Sequence, residues 1–150
     1  MNFLTNARRL VLAATVGAAL VGCATATGPQ FTNVQSASAD SANIYVYRKD
    51  RSFAMGQSFD VALDKKPVGN IVNASFMLLN TVPGKHTVTI HPGLGTSFPL
   101  EISVEAGKTY FAEFELTNSL LANPLFIGSR LLERIQGQAV EDLKTLKAAK

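Results

Sequence analysis

The sequence predicts a mainly β fold, an antiparallel β-sandwich of about seven or eight strands with a C-terminal α-helix. Three observations lead there. Between Asn43 and Leu116 the chain breaks into seven short segments, most of them alternating apolar and polar residues, as a half-buried strand does. Turn-forming residues separate those segments. From Gly137 the apolar residues recur at helical spacing instead. Ahead of this domain, residues 1–22 read as a leader and residues 23–42 as a polar link, which leaves 43–150 as one folded unit.

The leader opens with a polar run, Met1 to Arg9, that carries Arg8 and Arg9. An uncharged stretch follows, LVLAATVGAALV over residues 10–21. A membrane-spanning helix needs roughly 20 apolar residues, so this run is too short to span and fits the hydrophobic part of a signal peptide. It ends in Leu20-Val21-Gly22-Cys23, with small residues that let a peptidase approach the backbone. These four residues resemble the lipobox of bacterial lipoproteins. The resemblance implies a diacylglyceryl group on the Cys23 thiol, cleavage just before Cys23, and acylation of the new amine by a chain such as palmitate. Ala24, rather than Asp, follows the cysteine, which by the same resemblance implies the outer membrane, facing the periplasm. The competing expectation is an ordinary secretory signal cut after Ala26. Two acyl chains hold a protein on a bilayer without any spanning segment.

Ala24 to Ala42 contains no Lys or Arg and mostly Ala, Ser and Thr. With little apolar surface of its own to bury, it is expected to be a flexible tether. Nineteen such residues would average about 25 Å end to end. A first strand at Phe31–Val34 is the alternative.

The strands follow in order. Ile44–Arg48, IYVYR, is apolar on both faces and is expected to be central. Ser58–Asp64 places Phe59, Val61 and Leu63 on one face, and Asp64-Lys65-Lys66-Pro67 turns into Pro67–Val72. Phe76–Val82 leads to Pro83-Gly84, the residue pair of a type II turn. Lys85–His91 then carries His86, Val88 and Ile90 on one face. Ser97–Glu105 turns inward Phe98, Leu100, Ile102 and Val104, and Lys108–Leu116 turns inward Tyr110, Ala112, Phe114 and Leu116. An edge strand is expected over Arg130–Gln136. The final helix presents Val140, Leu143 and Leu146 on one stripe, with its acids early and its lysines late, as the helix dipole favours.

Composition excludes some functions. Net charge is +3 and pI about 9.2, but loss of Arg8 and Arg9 with the leader leaves 12 basic residues against 11 acidic ones. The remaining basic clusters, Arg48-Lys49 with Arg51 and Lys65-Lys66, sit beside Asp50 and Asp64. A nucleic-acid surface needs many more cations on one face, so no nucleic-acid partner is expected. The lone cysteine rules out an internal disulfide.

No catalytic, cofactor or metal constellation stands out. His86 and His91 are the only histidines, five apart on one strand, on opposite faces and roughly 17 Å apart. They cannot share a metal ion. His86 is expected to be a satisfied, half-buried residue at the sandwich rim. Asp60 and Asp64 are ~13 Å apart, too far for a carboxylate pair that cleaves glycosides. Glu113 and Glu115 share a face, which is expected to be solvated. A hydrolase would require His86, a carboxylate and a Ser or Thr to converge in one cleft. The segment singled out for interaction is Leu120–Ile127, where Leu120, Leu121, Leu125, Phe126 and Ile127 are too apolar to leave in water. They either cap the open end of the sandwich or form a candidate surface for a partner, a lipid or an apolar ligand.

The segments IYVYR (44–48), DVALDKKPVGNI (60–71), VPGKHTVTI (82–90) and VEAGKTYFAEF (104–114) together resemble the DUF2846 domains, many of them on bacterial lipoproteins. The likeness spans about Asn43 to Leu146. It implies an immunoglobulin-like or PEGA-like sandwich and carries almost no biochemistry. The resulting expectation is a non-enzymatic, membrane-anchored accessory or protein-interaction module of the cell envelope. Its expected partners are the membrane, through Cys23, and an envelope protein. The alternative is a carrier of a small apolar ligand or lipid that uses Leu120–Ile127 as a lid.

Overall fold

A computed structural model describes residues 25–91, 99–118 and 127–149. Among them lie nine strands and one helix: β1 (Ala42–Arg48), β2 (Phe59–Leu63), β3 (Lys66–Ile71), β4 (Ser75–Thr81), β5 (Gly84–His91), β6 (Leu100–Val104), β7 (Thr109–Asn118), β8 (Ile127–Glu133), α1 (Gln136–Leu143) and β9 (Lys147–Ala148). They form two packed sheets, a β-sandwich. One sheet has the order β8-β7-β1-β4-β9 and the other β3-β2-β5-β6.

The alternation predicted from the sequence determines which side chains fill the space between the sheets. Ile44 and Val46 of β1 meet Phe59 and Val61 of β2, Val88 and Ile90 of β5, Ile102 and Val104 of β6, and Ala112 and Phe114 of β7. Phe59 and Phe114 pack edge to face across the layer, with ring centroids 5.2 Å apart. β1 is central, as its two apolar faces require, and all seven of its residues are buried. β8 is an edge strand, placed slightly earlier than expected.

The antiparallel expectation applies to most pairings, but β1 pairs with β7 in parallel and β4 with β9 in parallel. A hairpin forces its two strands to run antiparallel. β7 reaches β1 only after the chain has crossed through the opposite sheet, so no hairpin sets its direction. Asp64 and Lys65 both take left-handed conformations, φ +51 and +67, and form the tight two-residue link between β2 and β3. Gly84 takes φ +144, wider than the about +80 of a type II turn, yet in the region that favours glycine.

The polar link differs most from expectation. Residues 25–41 do not float free of the domain. They cross the outer face of the five-stranded sheet as a strap. Phe31 is buried against Tyr45 and Phe76, both at nearly perpendicular ring angles, with centroids 5.9 and 5.6 Å away. Backbone bonds tie the strap to the chain's other end: Phe31 N–H donates to Leu146 O, Gly28 N–H to Ala148 O, and Ala148 N–H to Pro29 O. Composition is a local property, and this stretch has little apolar surface of its own. What orders it is an aromatic face made by residues distant in sequence.

That face forms a second core. Tyr45 and Phe111 stack at 5.6 Å, and Ala139 and Leu143 of α1 join Phe31, Tyr47 and Leu146 over them. The apolar stripe of the helix is therefore buried as predicted, although Leu146 lies beyond the helix end. Its charges are arranged otherwise. No acid occupies the first turn and no base the last. The helix starts at Gln136 and ends at Leu143, so Glu141 and Asp142 fall in its final turn and Lys144 caps it.

Candidate functional site

Cys23, Leu120, Leu121, Leu125 and Phe126 lie outside the described residues. Ile127 opens β8, paired with Asn118 of β7. Within the described residues, two polar clusters stand out.

The first is built on His86. Its position on β5 gives it the inward parity of Val88 and Ile90, and it is only 8% exposed. The β2–β3 turn brings Asp64 over it, and Nδ1 lies 2.7 Å from Asp64 Oδ2. The β4–β5 link brings the Val82 carbonyl to 2.8 Å from Nε2, with Thr81 Oγ1 at 3.3 Å. A second Asp64 oxygen accepts the Thr87 N–H at 2.9 Å. A histidine, a carboxylate and a threonine thus converge, with Thr81 Oγ1 the longest of these contacts to the ring. A carbonyl oxygen can only accept, so Nε2 must carry a proton. A lone pair there would face the Val82 oxygen. Nδ1 must donate to Asp64. With both nitrogens protonated, the ring clamps two turns together. The Asp64 bond, with the Val82 carbonyl adding to it against the effect of burial, raises the His86 pKa. The His86 and Thr87 bonds hold the Asp64 carboxyl below its ordinary value. The histidine is satisfied as expected, but it is buried rather than half-buried.

The second cluster overturns an expectation. Glu113 does not lie on a solvated face; it is 0% exposed. It stands opposite Tyr47 in the β1–β7 register, on the sheet face that the strap and α1 cover. Its Oε2 accepts Arg134 Nε at 2.7 Å, and its Oε1 lies 2.8 Å from Lys49 Nζ. Lys49 also approaches Asp142 of α1 at 3.5 Å, and the Tyr47 hydroxyl donates to Asp142 at 3.1 Å. Glu115 extends the network, taking Arg130 at 2.6 Å and Arg134 at 3.1 Å. Burial raises the Glu115 pKa, and the Arg130 and Arg134 guanidiniums outweigh it and lower the net value. The Tyr47 phenol is pushed well above its ordinary range by burial and by the nearby Glu113 and Asp142 carboxylates. Three acids, Glu113, Glu115 and Asp142, thus meet three bases, Lys49, Arg130 and Arg134. A balanced network of this kind holds β1, β7, β8 and α1 in one arrangement; removing one partner of a buried pair is far costlier than the pair's net worth.

One sequence signal pointed to this network. Phe111 shares the outward parity of Glu113, and a large aromatic on that face requires a covering layer. Arg48 gave no such signal. It ends β1 on the inward side, is buried, and donates to the carbonyls of Gln57, Phe53 and Ala54 at 3.2, 3.2 and 2.8 Å. Its guanidinium lies 5.1 Å from the centre of the Phe59 ring. This caps the open end of the sandwich and fixes the loop 49–58.

A cavity of about 220 Å3 opens beside these residues, lined by Arg48, Lys49, Arg51, Phe53, Glu113 and Leu116 among others. Its lining combines charged side chains with Phe53, Phe114 and Leu116. Among the described residues, no group of three or more His, Cys, Asp or Glu is placed to hold a metal ion. No helix among them is long and apolar enough to cross a membrane.

Comparison with known proteins adds one match. A family described as "Protein of unknown function (DUF2846)" matches residues 38–128. No curated protein matches the chain.

Proposed function

With the chain belonging to the DUF2846 family, we propose that it is a lipid-anchored protein of the bacterial cell envelope whose sandwich serves as a non-enzymatic accessory or protein-interaction module. The observation that carries this reading is Leu20-Val21-Gly22-Cys23 at the end of a charged and then apolar leader. Cys23 takes the lipid and becomes the first residue of the mature protein. Ala24 directs it to the outer membrane, facing the periplasm. The absence of any other cysteine fits an envelope protein whose single thiol is consumed by acylation. For the sandwich, the two polar clusters support a structural role. Both His86 ring nitrogens are engaged, by Asp64 and by the Val82 carbonyl, and the Glu113 carboxylate is engaged by Arg134 and Lys49. The partner surface assigned here is Leu120, Leu121, Leu125, Phe126 and Ile127. The carrier alternative rests on those same residues alone.

The anchor is tested with Cys23→Ser in cells fed labelled fatty acid. The variant is expected to accumulate as an uncleaved precursor without label, while the unaltered protein is cleaved and labelled. Normal processing and membrane retention of the variant would refute the reading.

A further inference from the structure

The anchor and the fold are separated by almost no chain. Thr25 forms a parallel bridge with Asn73, in the link between β3 and β4. Ala26 is buried, and Gly28 packs against β9 so closely that a Cβ there would collide with the Ala148 carbonyl oxygen and lie 2.7 Å from the Ala148 side chain. The strap is therefore pinned from its first described residue. Cys23 is two residues upstream of Thr25, and two fully extended residues span at most about 7 Å.

The pinned end has a definite composition. Asn73 Oδ1 accepts the Arg51 N–H at 3.0 Å, and Asn73 Nδ2 donates to Asp50, which places the loop 49–58 at this same end. That loop presents Met55, 60% exposed, on a backbone whose flanking carbonyls are gripped by Arg48. Arg51 is exposed beside it, and Lys147, also exposed, pairs with Ser75 at the start of β4. The other end of β4 leads to Val82, 66% exposed, about 20 Å away at the rise of a strand.

We propose that the end of the sandwich carrying Met55, Arg51, Asn73 and Lys147 rests on the bilayer surface. This rests on the lipid anchor at Cys23 and adds an orientation to it. Cys23 lies within about 7 Å of Thr25, which bridges Asn73, so this end is held close to the headgroup layer. Met55 then sits at the boundary between headgroups and acyl chains, and Arg51 and Lys147 meet lipid phosphates, each with an aliphatic stem against the apolar side. The β4–β5 end, with Val82, faces away into the periplasm, and the domain does not tumble on a tether.

The chain contains no tryptophan, so a single introduced one is an unambiguous reporter. Met55→Trp and Val82→Trp, both at exposed positions, are produced with the full leader. They are reconstituted in vesicles of phosphatidylethanolamine and phosphatidylglycerol doped with lipid brominated on its acyl chains. Mass spectrometry reads the acyl group at Cys23. Acylated Met55→Trp is expected to emit at shorter wavelength and lose most of its emission to the bromine, and acylated Val82→Trp to keep it. Equal quenching at both positions, or stronger quenching at Val82→Trp, in acylated protein would overturn the orientation alone. Protein without the acyl mass would overturn the anchor and the orientation with it.

Discussion

A single ring shows how residue chemistry sets the conditions under which this sandwich is stable. The folded pKa of His86 is raised above the ordinary 6.5, chiefly by the Asp64 bond. A group of that sign contributes stability that is fully present below its unfolded pKa and is lost as pH rises through the folded value. Asp64, whose pKa is lowered, acts in the opposite direction and withdraws its contribution as pH falls through its folded value. Stability is therefore expected to decline as pH rises above about 6.5, by at most about 1 kcal/mol, below the usual worth of a charged hydrogen bond because Asp64 is solvent-exposed. Urea midpoints measured from acidic to alkaline pH check this. His86→Gln, which keeps a donor but does not titrate, should flatten that decline; an unchanged slope would assign it to other groups. The inward parity of His86 was legible from Val88 and Ile90. Its partners were not, because Asp64 and Val82 come from two different turns.

At the scale of elements, the strap is the clearest case of structure imposed from outside. Its backbone bonds reach residues 146 and 148 as well as Tyr45, Asn43 and Gly107, and its one large buried aromatic is Phe31. Phe31→Ala is expected to cost about 3 kcal/mol, the range for emptying a buried aromatic site. A thermal or urea midpoint measures the loss. A change below roughly 0.5 kcal/mol, typical of surface sites, would mean the ring is dispensable. The strands were legible because alternation is a local signal that each segment carries by itself. The strap was not legible, because its order depends on Tyr45, Phe76 and Leu146, which no window of local sequence includes. Glu113 is the same case in reverse. Its flanks Ala112 and Phe114 showed it pointing away from the main core, and only the arrival of α1 and Arg134 turned that outer face into an interior.

For the whole molecule, the consequence is that both ends of the described chain close one layer. β9 donates Lys147 N–H to Ala74 O, takes Gly28 N–H on Ala148 O, and places Leu146 in the outer core. Removal of residues 146–150 should therefore release the strap while leaving the sandwich. Hydrogen exchange read by mass spectrometry is expected to speed up at Gly28 and Phe31 and to stay slow through β1 and β7. Slow exchange at the strap in the truncated chain would show that contacts other than those to residues 146–150, such as Phe31 and the Thr25–Asn73 bridge, hold it. The sequence by itself determined the sandwich, its central strand, the inward set of side chains and the apolar stripe of the helix. Each follows from a short-range period that burial imposes on a strand or a helix. The tertiary structure alone decided that the polar link is a strap, that Glu113 is buried and that β1 pairs in parallel with β7. These depend on surfaces assembled from distant segments, and no local period encodes them.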